Sequence, residues 1–238
     1  MLNLHGFLAN NGISYESEDA LKFVDYFFSA VRYYAMKRSM EIARKTGETY
    51  YKFEGSGYAD GSFFDEYIEN RLPKDMTPKV EELFNGFKLP TKEDWLQLKD
   101  DVMEYGMYNS YLLAVAPTGT ISYVHSATSS VLPINYKVES REWGDRTITN
   151  IAPGLSMKTW FLYKEAYDMD FFKIIELVST IQKHVDQGIS FEFMMNEGFT
   201  TRDLFVYQYF AHQRGIKSIY YTRTKRSSQG VGCVSCAV

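Results

Sequence analysis

An α/β architecture is predicted by three features of the sequence. Apolar residues recur at helical spacing in long stretches, as at Leu21, Val24, Phe28, Val31 and Ala35. Short runs between them read as strands: the continuous apolar run Leu112 to Val115, and the alternating Ile189-Ser190-Phe191-Glu192-Phe193. Helices thus alternate with strands, the order that gives mostly parallel strands covered by helices. So few strands make a small sheet for 238 residues, as expected of part of a larger body.

Met1 to Ser14 is expected to be irregular, with a turn at Asn10-Asn11-Gly12. Ser17 is a good N-cap, and Glu18 and Asp19 suit a first helical turn. That long helix should stop at Gly47, after Arg44 and Lys45. Phe23, Tyr26, Phe27, Tyr33 and Tyr34 widen its apolar face almost all round, which predicts burial between layers. Gly55, Gly57 and Gly61 punctuate a loop without the strand–helix context of a phosphate fingerprint, and a short helix is predicted at Phe63 to Asn70. Thr91-x-x-Asp94 reads as a capping box opening a helix through Trp95, Leu98 and Val102 to Gly106.

The run Leu112 to Val115 should be a strand that ends by Pro117, which cannot extend a ladder. Val131 to Asn150 looks extended, with a turn at Gly144-Asp145, and Arg141, Glu142, Asp145 and Arg146 fit a solvated hairpin. Ser156 should cap a helix through Trp160 and Phe161. Asp170 should cap another, striped by Ile174, Leu177, Val178, Ile181 and Val185 and closed by Gly188. Thr200-x-x-Asp203 opens a helix ending at Gly215, and Ile216 to Thr222 is the last strand. Arg226 to Gly232 is polar and Ser/Gly-rich, a tail expected to be flexible. One domain over 1–225 and a tail over 226–238 follow.

The formal net charge of −4 gives no basis for non-specific nucleic-acid binding. No apolar run approaches the roughly 20 residues of a membrane span, and the first residues lack a secretion-signal layout. Both cysteines, Cys233 and Cys236, lie in the tail, so no disulfide staples the core, as in a reducing compartment. A cytoplasmic protein is the expectation.

Three segments can carry chemistry. After Pro117, the residues Thr118, Gly119 and Thr120 offer hydroxyls, backbone N–H groups and a position without a Cβ; they fit either a threonine-capped turn or an anion cradle. Tyr220-Tyr221 could relay a radical, since a phenol can lose a proton and an electron. Adjacent strand side chains point to opposite faces, so a relay requires the strand to distort or end there. The pair is otherwise unremarkable among 19 tyrosines. Cys233-Val234-Ser235-Cys236 has the spacing of an exchangeable dithiol; it reads as a swinging redox arm or as two idle thiols. His125 fits a base or a hydrogen-bonded structural histidine. No metal-ligand spacing is present in the sequence.

Ala116-Pro117-Thr118-Gly119-Thr120-Ile121-Ser122, then Gly215-Ile216-Lys217-Ser218-Ile219-Tyr220-Tyr221-Thr222-Arg223-Thr224-Lys225, then a terminal Cys-x-x-Cys, fall in one order. That order resembles the large catalytic subunit of class I ribonucleotide reductase, most closely class Ib. Asn3-Leu4-His5-Gly6-Phe7, Lys164-Glu165-Ala166-Tyr167-Asp168-Met169-Asp170 and Asp186-Gln187-Gly188-Ile189-Ser190-Phe191 extend the likeness over essentially the whole chain.

The resemblance implies the C-terminal half of a ten-stranded α/β barrel that reduces ribonucleoside diphosphates to 2′-deoxyribonucleoside diphosphates by a radical mechanism, a source of DNA precursors. It implies substrate phosphate binding at Pro117, Thr118, Gly119, Thr120 and Ile121, radical transfer at Tyr220 and Tyr221, and thiol exchange at Cys233 and Cys236 with thioredoxin or a glutaredoxin-like protein. A small subunit with a dimetal centre supplies the radical; no cofactor is assigned to this chain itself, and nucleotide effectors belong to the complete subunit. The family's thiyl-radical cysteine and reducing pair would lie upstream of Met1, so a complementary N-terminal fragment is expected as a partner and the chain alone is expected to be inactive. The alternatives are an inactive remnant or interaction module, and a freestanding dithiol carrier.

Overall fold

In the computed structural model, which describes residues 1–143 and 146–225, the stretch expected to be irregular contains a helix, α1 (Leu4–Asn10). Its N-cap, Asn3, makes no side-chain capping bond. The capping is supplied from far along the chain instead: Gly6 N donates to Thr128 Oγ1 at 3.2 Å and Leu4 N to the Ser130 carbonyl at 3.4 Å. Orphan amides at a helix start are ordinarily met by local side chains, and a cap borrowed from 122 residues away leaves no local signal of this helix.

Two units make up the chain: residues 1–20, 115–179 and from 188 onward form one, and 21–114 with 180–187 the other. The long helix α2 (Glu18–Thr46) starts as expected, with Ser17 Oγ accepting from Ala20 N at 3.2 Å, and ends at Gly47 with φ +72°. Within the second unit, α3 (Ser62–Asn70) and α5 (Lys92–Tyr105) pack with α2 on a core of Tyr33, Met36, Phe64, Tyr67, Trp95, Leu98 and Val102, and α4 (Pro78–Leu83) buries Val80. Each such large side chain contributes about 1.5–3 kcal/mol on full burial. The Thr91–Asp94 capping box of α5 forms in both directions.

Two ionic clusters hold residues 180–187 in this unit. Arg32 Nη1 meets Asp186 Oδ1 at 2.9 Å, both side chains being buried, and also donates to the His184 carbonyl at 3.0 Å. His184 Nε2 lies 2.8 Å from Asp25 Oδ1 and its Nδ1 lies 2.6 Å from the Tyr67 hydroxyl. Burial lowers the His184 pKa, and the Asp25 carboxylate partly opposes that. Asp186 also explains a departure from expectation. Leu112 to Val115 is not a regular strand, because the Leu112 and Leu113 amides donate to Asp186 Oδ2 at 2.9 and 3.0 Å.

In the first unit, α6 (Gly119–Val124) follows Pro117. The hairpin expected beyond it is present: β1 (Val138–Trp143) pairs antiparallel with β2 (Arg146–Ile151). Ser156 opens only a single turn, not the expected helix through Phe161. There Thr159 Oγ1 turns back to the Gly154 carbonyl at 3.1 Å, and buried Tyr163 donates to the Pro153 carbonyl at 2.6 Å, so local side-chain bonds replace the helical ones. Asp170 caps α7 (Phe171–Gln182) through Phe172 N. This helix stops well before Gly188, because Gln182 Nε2 is committed to the Val185 and Gln187 carbonyls beyond it.

β3 (Glu192–Met195), α8 (Thr201–Gln213) and β4 (Tyr221–Thr224) complete the described fold. The Thr200–Asp203 capping box forms, and β3 and β4 pair in parallel with Glu192 opposite Tyr221. Both strands begin later than the sequence pattern predicts. The described strands form two two-stranded sheets, one parallel and one antiparallel, and no closed barrel. Among the described residues, no helix is long and apolar enough to cross a membrane.

Candidate functional site

The segment 116–130 is a closed hydroxyl-rich loop. Thr118 sits at the N-cap of α6, but its side chain does not cap that helix. Its Oγ1 accepts from Ser130 N at 2.7 Å and lies 3.3 Å from Ser129 Oγ. Ser130 Oγ in turn donates to the Ala116 carbonyl at 3.3 Å. The far side of the loop is tied to α1, where Asn3 N donates to the Thr128 carbonyl and Asn3 Oδ1 accepts from Thr128 N.

This bracing leaves the front of the loop open. Gly119, Thr120 and Ile121 are exposed, and among the described residues no group accepts from their amides. A Cβ built on Gly119 meets nothing within 4 Å. Glycine is therefore not needed there for internal packing; what its missing side chain leaves free is backbone access from outside. Three unpaired amides beside two hydroxyls suit an anion with several oxygen acceptors. Ser129 and Ser130 are not among the sequence-predicted site residues, although the run Ser126-Ala127-Thr128-Ser129-Ser130 carries the same hydroxyl signature.

Tyr220 and Tyr221 meet the condition set for a relay. Tyr221 is the first residue of β4, so Tyr220 lies outside the regular strand alternation. Their ring centroids are 4.3 Å apart at 61°. Tyr220 N donates to the Phe191 carbonyl at 2.7 Å, which pins the pair to the chain entering β3. Tyr220 and Tyr221 are 55% and 51% exposed, so the pair stays reachable from solvent. The Tyr221 pKa is raised, first by the hydrogen bond with Tyr220 and then by that neighbour's charge.

The same face of β4 carries charge. Arg223 Nε lies 2.5 Å from Glu192 Oε2, and its guanidinium sits 5.6 Å from the Tyr221 ring centroid. Lys225 Nζ reaches Glu165 Oε2 at 3.2 Å. His125 is exposed at the end of α6, and among the described residues no side-chain contact marks it as a base. Cys233 and Cys236 lie outside the described residues. Among the described residues, no three His, Cys, Asp or Glu side chains gather as a metal site.

The loop and the tyrosine pair fall within one family match: residues 1–222 fit the ribonucleotide reductase barrel domain. The chain belongs to that family. The ribonucleoside-diphosphate reductase NrdEB subunit alpha of Bacillus subtilis (strain 168) is 52% identical over the whole chain, which spans 22% of that relative. A second B. subtilis relative, ribonucleoside-diphosphate reductase subunit alpha, is 50% identical, and the chain spans 34% of it. The subunit alpha of Mycoplasma genitalium is 40% identical over 94% of the chain. The chain thus spans about a quarter to a third of these reductase subunits. The class Id ribonucleotide reductase alpha subunit of Actinobacillus ureae shares the fold, with a TM-score of 0.61 over 94% of this chain and 38% of its own, at 19% identity.

Proposed function

We propose that this chain is the part of a ribonucleoside-diphosphate reductase alpha subunit that holds the substrate's phosphates, relays the radical and exchanges thiols. The observation that carries the reading is the Tyr220–Tyr221 ring pair, 4.3 Å between centroids at the start of β4. In this reading the amides of Gly119, Thr120 and Ile121, with the Thr118 and Thr120 hydroxyls and Pro117 shaping the turn, bind the diphosphate of a ribonucleoside diphosphate. Tyr220 and Tyr221 pass a hydrogen atom between their phenol oxygens, one O–H bond breaking as the other forms. Cys233 and Cys236 return electrons to the active site and are reduced again by thioredoxin or a glutaredoxin-like protein.

The radical comes from a separate small subunit with a dimetal centre. The only cysteines in the sequence are those two, so the cysteine that attacks the ribose and the pair that reduces it are supplied by polypeptide outside this sequence. The part described here is on this reading one barrel portion, and 226–238 its redox tail.

The test is substitution in the assembled enzyme. Tyr220→Phe and Tyr221→Phe should each abolish deoxyribonucleotide formation while leaving diphosphate binding, read by equilibrium dialysis, within about twofold. Retained turnover in either variant would refute the relay.

A further inference from the structure

Three side chains share one face of the β3–β4 pair. Glu192 stands directly opposite Tyr221 in the parallel register, and Arg223 lies two residues beyond Tyr221, on the same side of the strand. Glu192 grips Arg223 with both carboxylate oxygens, at 2.5 Å to Nε and 3.3 Å to Nη2. Their side chains are only 16% and 28% exposed, so the fork is held in a partly desolvated place. The guanidinium is also set over the Tyr221 ring at 5.6 Å. Bidentate carboxylate pairing fixes both the position and the plane of an arginine.

We propose that Glu192 and Arg223 are positioning residues that bracket Tyr221 with balanced opposite charges, holding its ring against Tyr220 while keeping the local field on its phenol close to neutral. The inference rests on the relay reading for its purpose, but the clamp itself is a property of this chain. An isolated cation beside a phenol favours the tyrosinate, and an isolated carboxylate disfavours it. On Tyr221 the Arg223 charge acts downward and the Glu192 charge upward. Paired, each charge offsets the other at the phenol. Tyr220 adjoins this segment, and Lys225, just beyond β4, is engaged by Glu165.

A relay tyrosine has a specific use for such an offset. Its proton must stay on at neutral pH and leave only with the electron. A bare arginine would promote early loss of the proton, and a bare carboxylate would resist the hand-over to Tyr220.

The test places a fluorotyrosine at position 221 of the full chain and follows its titration by fluorine NMR. Glu192→Gln should lower the midpoint and Arg223→Gln should raise it, each by about threefold or more in the acid dissociation constant. The Glu192→Gln/Arg223→Gln double variant should return close to the parent. Arg223→Lys, which keeps the charge, should move the midpoint less than Arg223→Gln; it guards against a variant that misfolds, as does circular dichroism on each protein. Shifts of the same sign in both single variants, or none beyond twofold, would overturn the clamp. The phenol titration does not require radical transfer, so failure of the relay and failure of the clamp are separately visible.

Discussion

Lowering the pH from 7 towards 4 should loosen α1 from its surroundings, because His5 must fold uncharged. His5 is fully buried between Tyr15 and Tyr163, whose ring centroids lie 5.4 and 5.2 Å away. Its Nδ1 accepts from Ile134 N at 3.0 Å, which leaves Nε2–H to donate to the Leu162 carbonyl at 3.2 Å. A second proton would sit on Nδ1 and face another N–H. Burial, the larger effect, pushes the His5 pKa from 6.5 down to about 4, against the opposing Leu162 hydrogen bond. The unfolded chain therefore binds the proton first as pH falls. The stability His5 contributes is complete above about pH 6.5 and is lost progressively down to pH 4. A shift of that size corresponds to about 3 kcal/mol. Hydrogen exchange at the Ile134 amide, corrected for intrinsic rates, should lose roughly a hundredfold protection over that interval. In a His5→Gln variant that loss should largely vanish. An imidazole resonance of His5 titrating at pH 6 or above, or an unchanged pH profile in the variant, would refute the reasoning.

Two further outcomes are expected. Asp186→Asn removes the partner of the buried Arg32 guanidinium and weakens acceptance from two backbone amides; it should cost about 3–5 kcal/mol, read as a lowered urea midpoint from the fluorescence of buried Trp95, and a loss below about 1 kcal/mol would mean that the pair is effectively solvated. Gly119→Val should leave thermal stability within about 0.5 kcal/mol, since its Cβ meets open space, yet weaken diphosphate binding in the assembled enzyme at least tenfold; unchanged binding would remove the loop from the substrate site.

What could be read in the sequence was chiefly what is local. The capping boxes at Thr91–Asp94 and Thr200–Asp203, the Ser17 and Asp170 starts and the Gly47 stop all involve partners within a few residues. The failures share a different cause. α1 borrows its cap from Thr128, and the chain at Leu112 gives its amides to Asp186 rather than to a strand; those partners lie 122 and 74 residues away. The loop at Thr118 to Thr120 and the pair Tyr220-Tyr221 stood out by composition alone, but the sequence left their use open. That Thr118 Oγ1 faces Ser129 and Ser130, and that Glu192 meets Arg223, depends on register and loop closure. Periodicity carries neither.

The register of β3 against β4 places a constraint of its own on how this region can vary. Tyr220 N is tied to the Phe191 carbonyl and Lys225 N to the Met195 carbonyl, so both ends of the pairing are fixed. A strand's side chains alternate with a period of two, so a shift by one residue would carry Tyr221 and Arg223 together to the opposite face, away from Glu192. The connection from Gly215 to Ile219 can therefore accept many changes of residue, but gaining or losing a single residue between Tyr221 and Arg223 would send the two to opposite faces. Among natural variants of this segment, length should be held more tightly than composition.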